Sequence, residues 1–214
     1  GLFGLVAKVL HLNCKLGKNK MSSILYLVRH GETLFNVQRK IQGWCDSPLT
    51  AHGIAQAKQL ATYFDSIPLD HAYSSTSERA VDTADLIVHG RLPVRHLKAL
   101  KEMNYGVFEG ESQVLNPPLP KDFENFFVLY GGESSNTTGH RLLKALTNIM
   151  QQPDHQNVLV VSHSAACYNF LRQLQDPTDV LAKGLPNGAV LVFTFGSTGF
   201  HLLRVDRQKA EKQL

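Results

Sequence analysis

The chain has 214 residues, of which 43% are hydrophobic and 19% charged, proportions of an ordinary globular protein rather than a disordered or membrane-spanning one. That length suits one domain able to bury a substantial core. The net charge of +4 suits an acidic small molecule as well as nucleic acid, but no Lys/Arg run interleaved with aromatics supports the second, so no nucleic-acid partner is expected. Three cysteines (Cys14, Cys45 and Cys167), odd in number and without a C-x-x-C pair, read as reduced thiols of a cytoplasmic protein.

Residues 1–20 stand apart: apolar positions at helical spacing, then Lys15, Lys18 and Lys20. Such a segment can lie on a membrane surface but is too short to span one, and it lacks the basic n-region of a secretory signal. Because the fold pattern begins just after Met21, residues 1–20 read as a leader or extension, and no membrane partner is expected. Residues 24–28 form an apolar, β-branched and aromatic run, hence a buried strand. It ends at Arg29 and His30, and Gly31 then permits a sharp turn. Residues 33–38 open a helix or turn carrying Asn36, and 43–50 (G-W-C-D-S-P-L-T) make a loop. Thr50 caps a helix over 51–64, with Ile54, Ala57, the Lys58 stem and Ala61 expected on its inner side. A short strand follows at 71–74, then a helix opened by Ser75 or Ser77 and running through Val88, and an edge strand at 94–96.

Residues 97–130, rich in Pro and Phe, are the longest irregular stretch, and long ordered loops tend to be functional. A helix over 133–151, a buried strand at 157–162 and a helix over 164–173 come next. Two final strands at 189–195 and 200–205 are joined by the hairpin signal G-S-T-G. Strands alternating with helices predict an α/β fold, a three-layer α/β/α sandwich on a mostly parallel sheet. One domain is expected over 21–207, with a charged tail over 208–214.

Two strands end almost alike, V-R-H-G at 28–31 and V-S-H-S at 161–164. In one parallel sheet both histidines emerge at the C-terminal rim, where such sheets bind ligands. Arg79, from S-S-T-S-E-R-A, adds a second guanidinium. Arginine forks match phosphate oxygens, a neutral imidazole can attack phosphorus, and backbone amides at the start of a helix at Ser164 favour an anion.

The separated motifs agree with one family. L-V-R-H-G-E-T-x-x-N at 27–36, P-L-T-x-x-G-x-x-Q-A at 48–57, S-S-x-S-E-R-A-x-x-T-A at 74–84, E-x-x-Y-G-V-F-E-G at 102–110, G-G-E-S at 131–134 and V-S-H at 161–163 resemble, in order, the histidine phosphatase superfamily. The similar branch is the one that includes cofactor-dependent phosphoglycerate mutase. The resemblance implies that His30 is the nucleophile and forms a phosphohistidine. It implies that Arg29, Arg79 and His163 hold the phosphoryl oxygens, that Asn36 adds a neutral hydrogen bond, and that Glu102 protonates the leaving alkoxide. Gly43 and Ser164 complete the expected phosphate- and substrate-binding set. Ser164 stands where the family usually has Gly, which puts an extra hydroxyl beside the pocket and bears on substrate preference.

Each assignment has a plainer competitor. Arg79 can pair with Glu78 or Asp82 on a helix surface, Glu109 and Glu111 compete with Glu102, and Arg39 is as well suited to solvent as to substrate. Glu133 fits helix-start chemistry. The remaining histidines show no H-x-x-x-H spacing, so no metal and no cofactor is expected. The phosphoglycerate mutases that this chain resembles carry a long basic insertion before the G-G-E-S-like helix; here residues 111–130 are short and hold Lys121 as their one base. Pro117, Pro118, Pro120, Phe123, Phe126 and Phe127 there form either a lid over a roomy pocket or simple core packing. These features favour a phosphatase acting on a small phosphomonoester over a mutase, and either over a non-catalytic phospho-ligand binding module.

Overall fold

The computed structural model describes residues 22–208, so the expected leader and all of the expected tail but Gln208 lie outside the described residues. Six strands form one sheet, β1 (Ser23–Arg29), β2 (His71–Ser74), β3 (Val94–His96), β4 (Asn157–Ser162), β5 (Val190–Gly196) and β6 (Gly199–Asp206), in the order β3-β2-β4-β1-β5-β6. β3, β2, β4 and β1 pair in parallel, β5 is antiparallel to β1, and β6 antiparallel to β5. The sheet is therefore mostly parallel, as expected.

Alternation along β1 shows how the layers form. Leu25 and Leu27 face one side, where α4 (Ser135–Met150) and α5 (Ser164–Arg172) contribute Leu142, Leu146, Phe170 and Leu171. Tyr26 and Val28 face the other, against α2 (Ala51–Phe64) and α3 (Glu78–Val88) through Leu60, Phe64, Ala80 and Ile87. This is the period-two reading of a strand buried on both faces.

Thr50 caps α2 as expected, its hydroxyl accepting the Gly53 amide. The inner face differs from expectation: Gly53, Ala57, Leu60 and Phe64 are buried, while Ile54 is 38% exposed. The i, i+4, i+7, i+11 stripe that carries the larger side chains Leu60 and Phe64 wins the core. α3 begins after Ser77, whose side chain makes no cap bond; Asp46, from the loop between α1 and α2, accepts the Glu78 amide instead. α1 (Leu34–Val37) is a single turn closed by a reciprocal pair, Thr33 with Asn36. A short helix α6 (Thr178–Lys183) was not expected from the sequence. The long irregular stretch holds five short 3₁₀ segments, from Lys98–Leu100 to Phe126–Tyr130.

Candidate active site

The register of β1 against β4 sets the site. Arg29 is paired with Ser162, and the His30 amide donates to the Ser162 carbonyl at 3.1 Å, so His30 and His163 leave the sheet side by side. Their ring centroids are 5.2 Å apart. β2 brings Ser75 to the same rim, where its hydroxyl lies 2.7 Å from His163 Nε2.

His30 Nδ1 lies 2.7 Å from the Gly31 carbonyl. A carbonyl only accepts, so Nδ1 carries the proton and Nε2 keeps its lone pair. The Arg79 Nε–H donates toward that Nε2 at 3.3 Å. Burial, and then the Arg79 and Arg29 charges, hold the His30 pKa well below its ordinary value; His163 is lowered likewise, by burial first and then by Arg79. Both imidazoles are neutral near pH 7.

Arg79 is fully buried rather than paired on the helix surface. Its Nη1 donates to Asp46 at 2.7 Å and to the Cys45 carbonyl at 3.0 Å, and its Nη2 to the Gly43 carbonyl at 2.8 Å. The loop after α1 thus locks the guanidinium against His30. Two buried nitrogens beside the imidazole, Arg29 Nε and His163 Nδ1, have no partner among the described residues. Unpaired buried polar nitrogens are costly and demand an explanation, and a ligand is one.

A cavity of about 650 Å³ opens at this rim, lined by Arg29, His30, Asn36, Glu102 and Ser164. Arg79 and His163 are not on its wall but adjoin His30, Arg79 at the Nε2 atom itself. Lys40, Lys121, Arg172, Phe123 and Tyr168 line its outer part. Phe123 therefore faces the cavity, whereas Phe127 is wholly buried in an aromatic cluster with Phe108 and Tyr105, so the loop serves both as wall and as core. Arg39 is exposed and does not reach the cavity.

Glu102 is 4% exposed and caps α5, accepting the Ala165 and Ala166 amides at 3.0 and 2.7 Å, and the Met103 amide at 2.8 Å. Burial raises its pKa, against the opposing pull of those amides. Glu109 is spoken for: its carboxylate accepts the amides of Gly43, Trp44, Cys45 and Tyr105. Glu133 pairs with Arg141 at 2.7 Å, and Arg141 in turn donates to the Glu102 carbonyl at 3.1 Å. Both acids shape the loop that presents Glu102.

Gly43 is a correction. Its amide goes to Glu109, its carbonyl goes to Arg79, and it is absent from the cavity wall. A Cβ there would strike the Met103 carbonyl, Glu109 and the Tyr105 ring, so the position demands glycine for close packing rather than for phosphate. The sequence reading also missed Asn187, whose amide donates to the His30 carbonyl and to Asn36 Oδ1, each at 3.1 Å. It lies far along the chain in a P-N-G turn, and nothing local marks it. Ser75 was read only as a helix opener.

Neutral buried imidazoles held among guanidinium groups at the rim of a parallel sheet define a class, the enzymes of phosphoryl chemistry. The sequence profile of the histidine phosphatase superfamily (branch 1) matches residues 25–208, and the chain belongs to that family. A probable phosphoglycerate mutase GpmB of Proteus mirabilis is 36% identical over 151 residues, covering 66% of this chain and 70% of that protein. The adenosylcobalamin/alpha-ribazole phosphatase of Escherichia coli is 33% identical over 160 residues, covering 70% and 78%. Among solved structures, the phosphoserine phosphatase of Entamoeba histolytica, in complex with 3-phosphoglyceric acid, matches with a TM-score of 0.75 at 28% identity, covering 87% of this chain and 98% of that one.

Proposed function

We propose that this chain hydrolyses a small phosphomonoester through a phosphohistidine on His30, without a metal. The observation that carries the reading is the pairing of a His30 tautomer that leaves Nε2 unprotonated, with only the 3.3 Å Arg79 contact on it, and two unpartnered buried nitrogens, Arg29 Nε and His163 Nδ1.

In the first step His30 Nε2 gives its lone pair to phosphorus while the bond from phosphorus to the ester oxygen breaks. Glu102, whose pKa burial raises, hands its proton to the departing alkoxide. Arg29, Arg79 and His163 stabilise the charge gathering on the three phosphoryl oxygens, and the Asn36 amide adds a neutral donor. In the second step Glu102, now a carboxylate, takes a proton from water. The water oxygen bonds to phosphorus, the P–N bond breaks, and Nε2 recovers its lone pair.

The relatives' names divide between mutase and phosphatase. The cavity favours hydrolysis: about 650 Å³ holds about twenty water molecules, and that space stands open to water once a leaving group departs. The test is phosphate release from p-nitrophenyl phosphate in EDTA by wild type and by His30→Ala. Metal-independent turnover abolished by the substitution supports the reading. Turnover that survives it removes His30 as nucleophile, and a wild type that transfers phosphate between hydroxyls without releasing it is a mutase.

A further inference from the structure

We propose that His71, Asp154 and His155 bind a divalent transition metal of the zinc class at the end of the sheet opposite the cavity. His71 is the first residue of β2, and Asp154 and His155 stand in the loop before β4. The six residues of β4 separate this cluster from His163, about 20 Å at the usual strand rise. A metal here braces the fold and takes no part in phosphoryl transfer.

The three side chains converge. Asp154 Oδ2 lies 3.0 Å from His71 Nε2, and Oδ1 lies 2.8 Å from His155 Nδ1. All three ligand atoms fall within 4.8 Å of one another. The imidazoles stack with centroids 3.6 Å apart and planes 9° from parallel, so the more exposed His71 ring turns for both in-plane lone pairs to meet one ion. Two imidazole nitrogens and one carboxylate oxygen form a donor set that zinc accepts, with water for the fourth position. In the metal-free form each nitrogen facing Asp154 carries a proton, and the carboxylate bridges the two rings, Oδ2 to His71 and Oδ1 to His155. The Asp154 side chain is 67% exposed and so is free to turn and offer one oxygen to an entering cation.

The surroundings suit that exchange. His155 is 2% exposed, and its Nε2 lies 2.8 Å from the Tyr73 hydroxyl. When a metal takes Nδ1, that nitrogen releases its proton and Nε2 gains one. The Tyr73 hydroxyl, now an acceptor, fixes the new tautomer as outer partners of metal-bound histidines do. A second carboxylate flanks the cluster. Asp70 Oδ2 accepts the Gln156 and Asn157 amides at 2.8 and 2.7 Å, while its buried Oδ1 has no partner among the described residues. Two carboxylates balance a dication. Sequence spacing hides the site, because its members meet only when β2 and β4 pair.

The experiment titrates EDTA-stripped full-length protein with Co²⁺, followed by d–d absorption, and with Zn²⁺, followed by calorimetry and by Tm. His71→Ala and Asp154→Asn are the variants, chosen because both side chains reach solvent and neither contacts Tyr73. One equivalent bound by wild type, a rise in Tm, and affinity at least about tenfold weaker in both variants support the site. Turnover of p-nitrophenyl phosphate in EDTA stays equal in all three proteins. No saturable binding by wild type overturns the proposal. So does binding undiminished in both variants, which places the metal elsewhere, for instance at His11 and Cys14.

Discussion

Glu102 and Glu109 share a loop and a chemistry, yet only Glu102 faces the cavity, because Glu109 has spent both oxygens on four backbone amides. The proposed role of Glu102 predicts a leaving-group dependence. Glu102→Gln should lower kcat/KM, which reports only the steps up to departure of the leaving group, by about 10²-fold or more for an alkyl phosphate and far less for p-nitrophenyl phosphate, since nitrophenolate leaves without a proton. The wild-type rate should also decline as pH rises through the raised Glu102 pKa, and that alkaline limb should vanish in the variant. Equal losses on both substrates would remove Glu102 as the acid. Ser75→Ala strips His163 Nε2 of its one described partner inside the protein. An unsatisfied buried nitrogen costs about 1–3 kcal/mol, measurable by urea unfolding, and kcat should drop as the ring loses its orientation.

At the scale of elements, the turn after β1 and the first turn of α2 touch backbone to backbone. A Cβ on Gly31 would press on the Gly53 carbonyl, and one on Gly53 would collide with Glu32. Gly53→Ala gains helix propensity worth about 0.5–1 kcal/mol but forces that contact apart, so a net loss of about 1–3 kcal/mol is expected by denaturant unfolding. Activity should fall with it, because Gly31 holds His30 Nδ1. The 3₁₀ segments after β3 build the outer cavity wall, where Lys121 stands close to solvent. Lys121→Ala should raise KM about two- to fivefold for phosphomonoesters carrying a second anionic group, and less for p-nitrophenyl phosphate. A uniform effect on both would mean that Lys121 does not meet the substrate.

For the whole molecule, the neutral burial of His30 and His163 links stability to pH. Unfolding lets each imidazole bind a proton near pH 6.5 that the native state refuses, because burial lowers both native pKa values. Between those lowered values and about 6.5 the unfolded chain therefore holds more protons, and stability rises with pH there. Each histidine contributes a slope of up to about 1.4 kcal/mol per pH unit. Glu102 acts the opposite way: its raised native pKa stabilises below about pH 4.5, an effect lost as pH rises through the native value. Two imidazoles outweigh one carboxyl, so Tm should fall on acidification from pH 7 toward 5, and more gently in His163→Asn. A Tm flat across that range would contradict neutral burial.

The sequence by itself determined what depends on neighbours along the chain. Apolar runs marked β1 and β4, Thr50 marked the start of α2, and Arg29-His30 at the end of one strand with His163 at the end of another pointed to the phosphate site proposed above. Those signals are local, because a strand's burial pattern and a helix cap are written within a few residues. Only the tertiary structure decided what depends on pairing. The β1–β4 register put the two imidazoles 5.2 Å apart. The loop after α1, pinned by Glu109, enclosed Arg79 and turned Gly43 from a ligand candidate into a packing position. Asn187 and Ser75 acquired their partners from segments distant in sequence, and α2 chose its inner face by which side chains the sheet had room to bury. Residue types disclose the chemistry a site can perform, but which of two identical carboxylates performs it is settled by where the backbone amides stand.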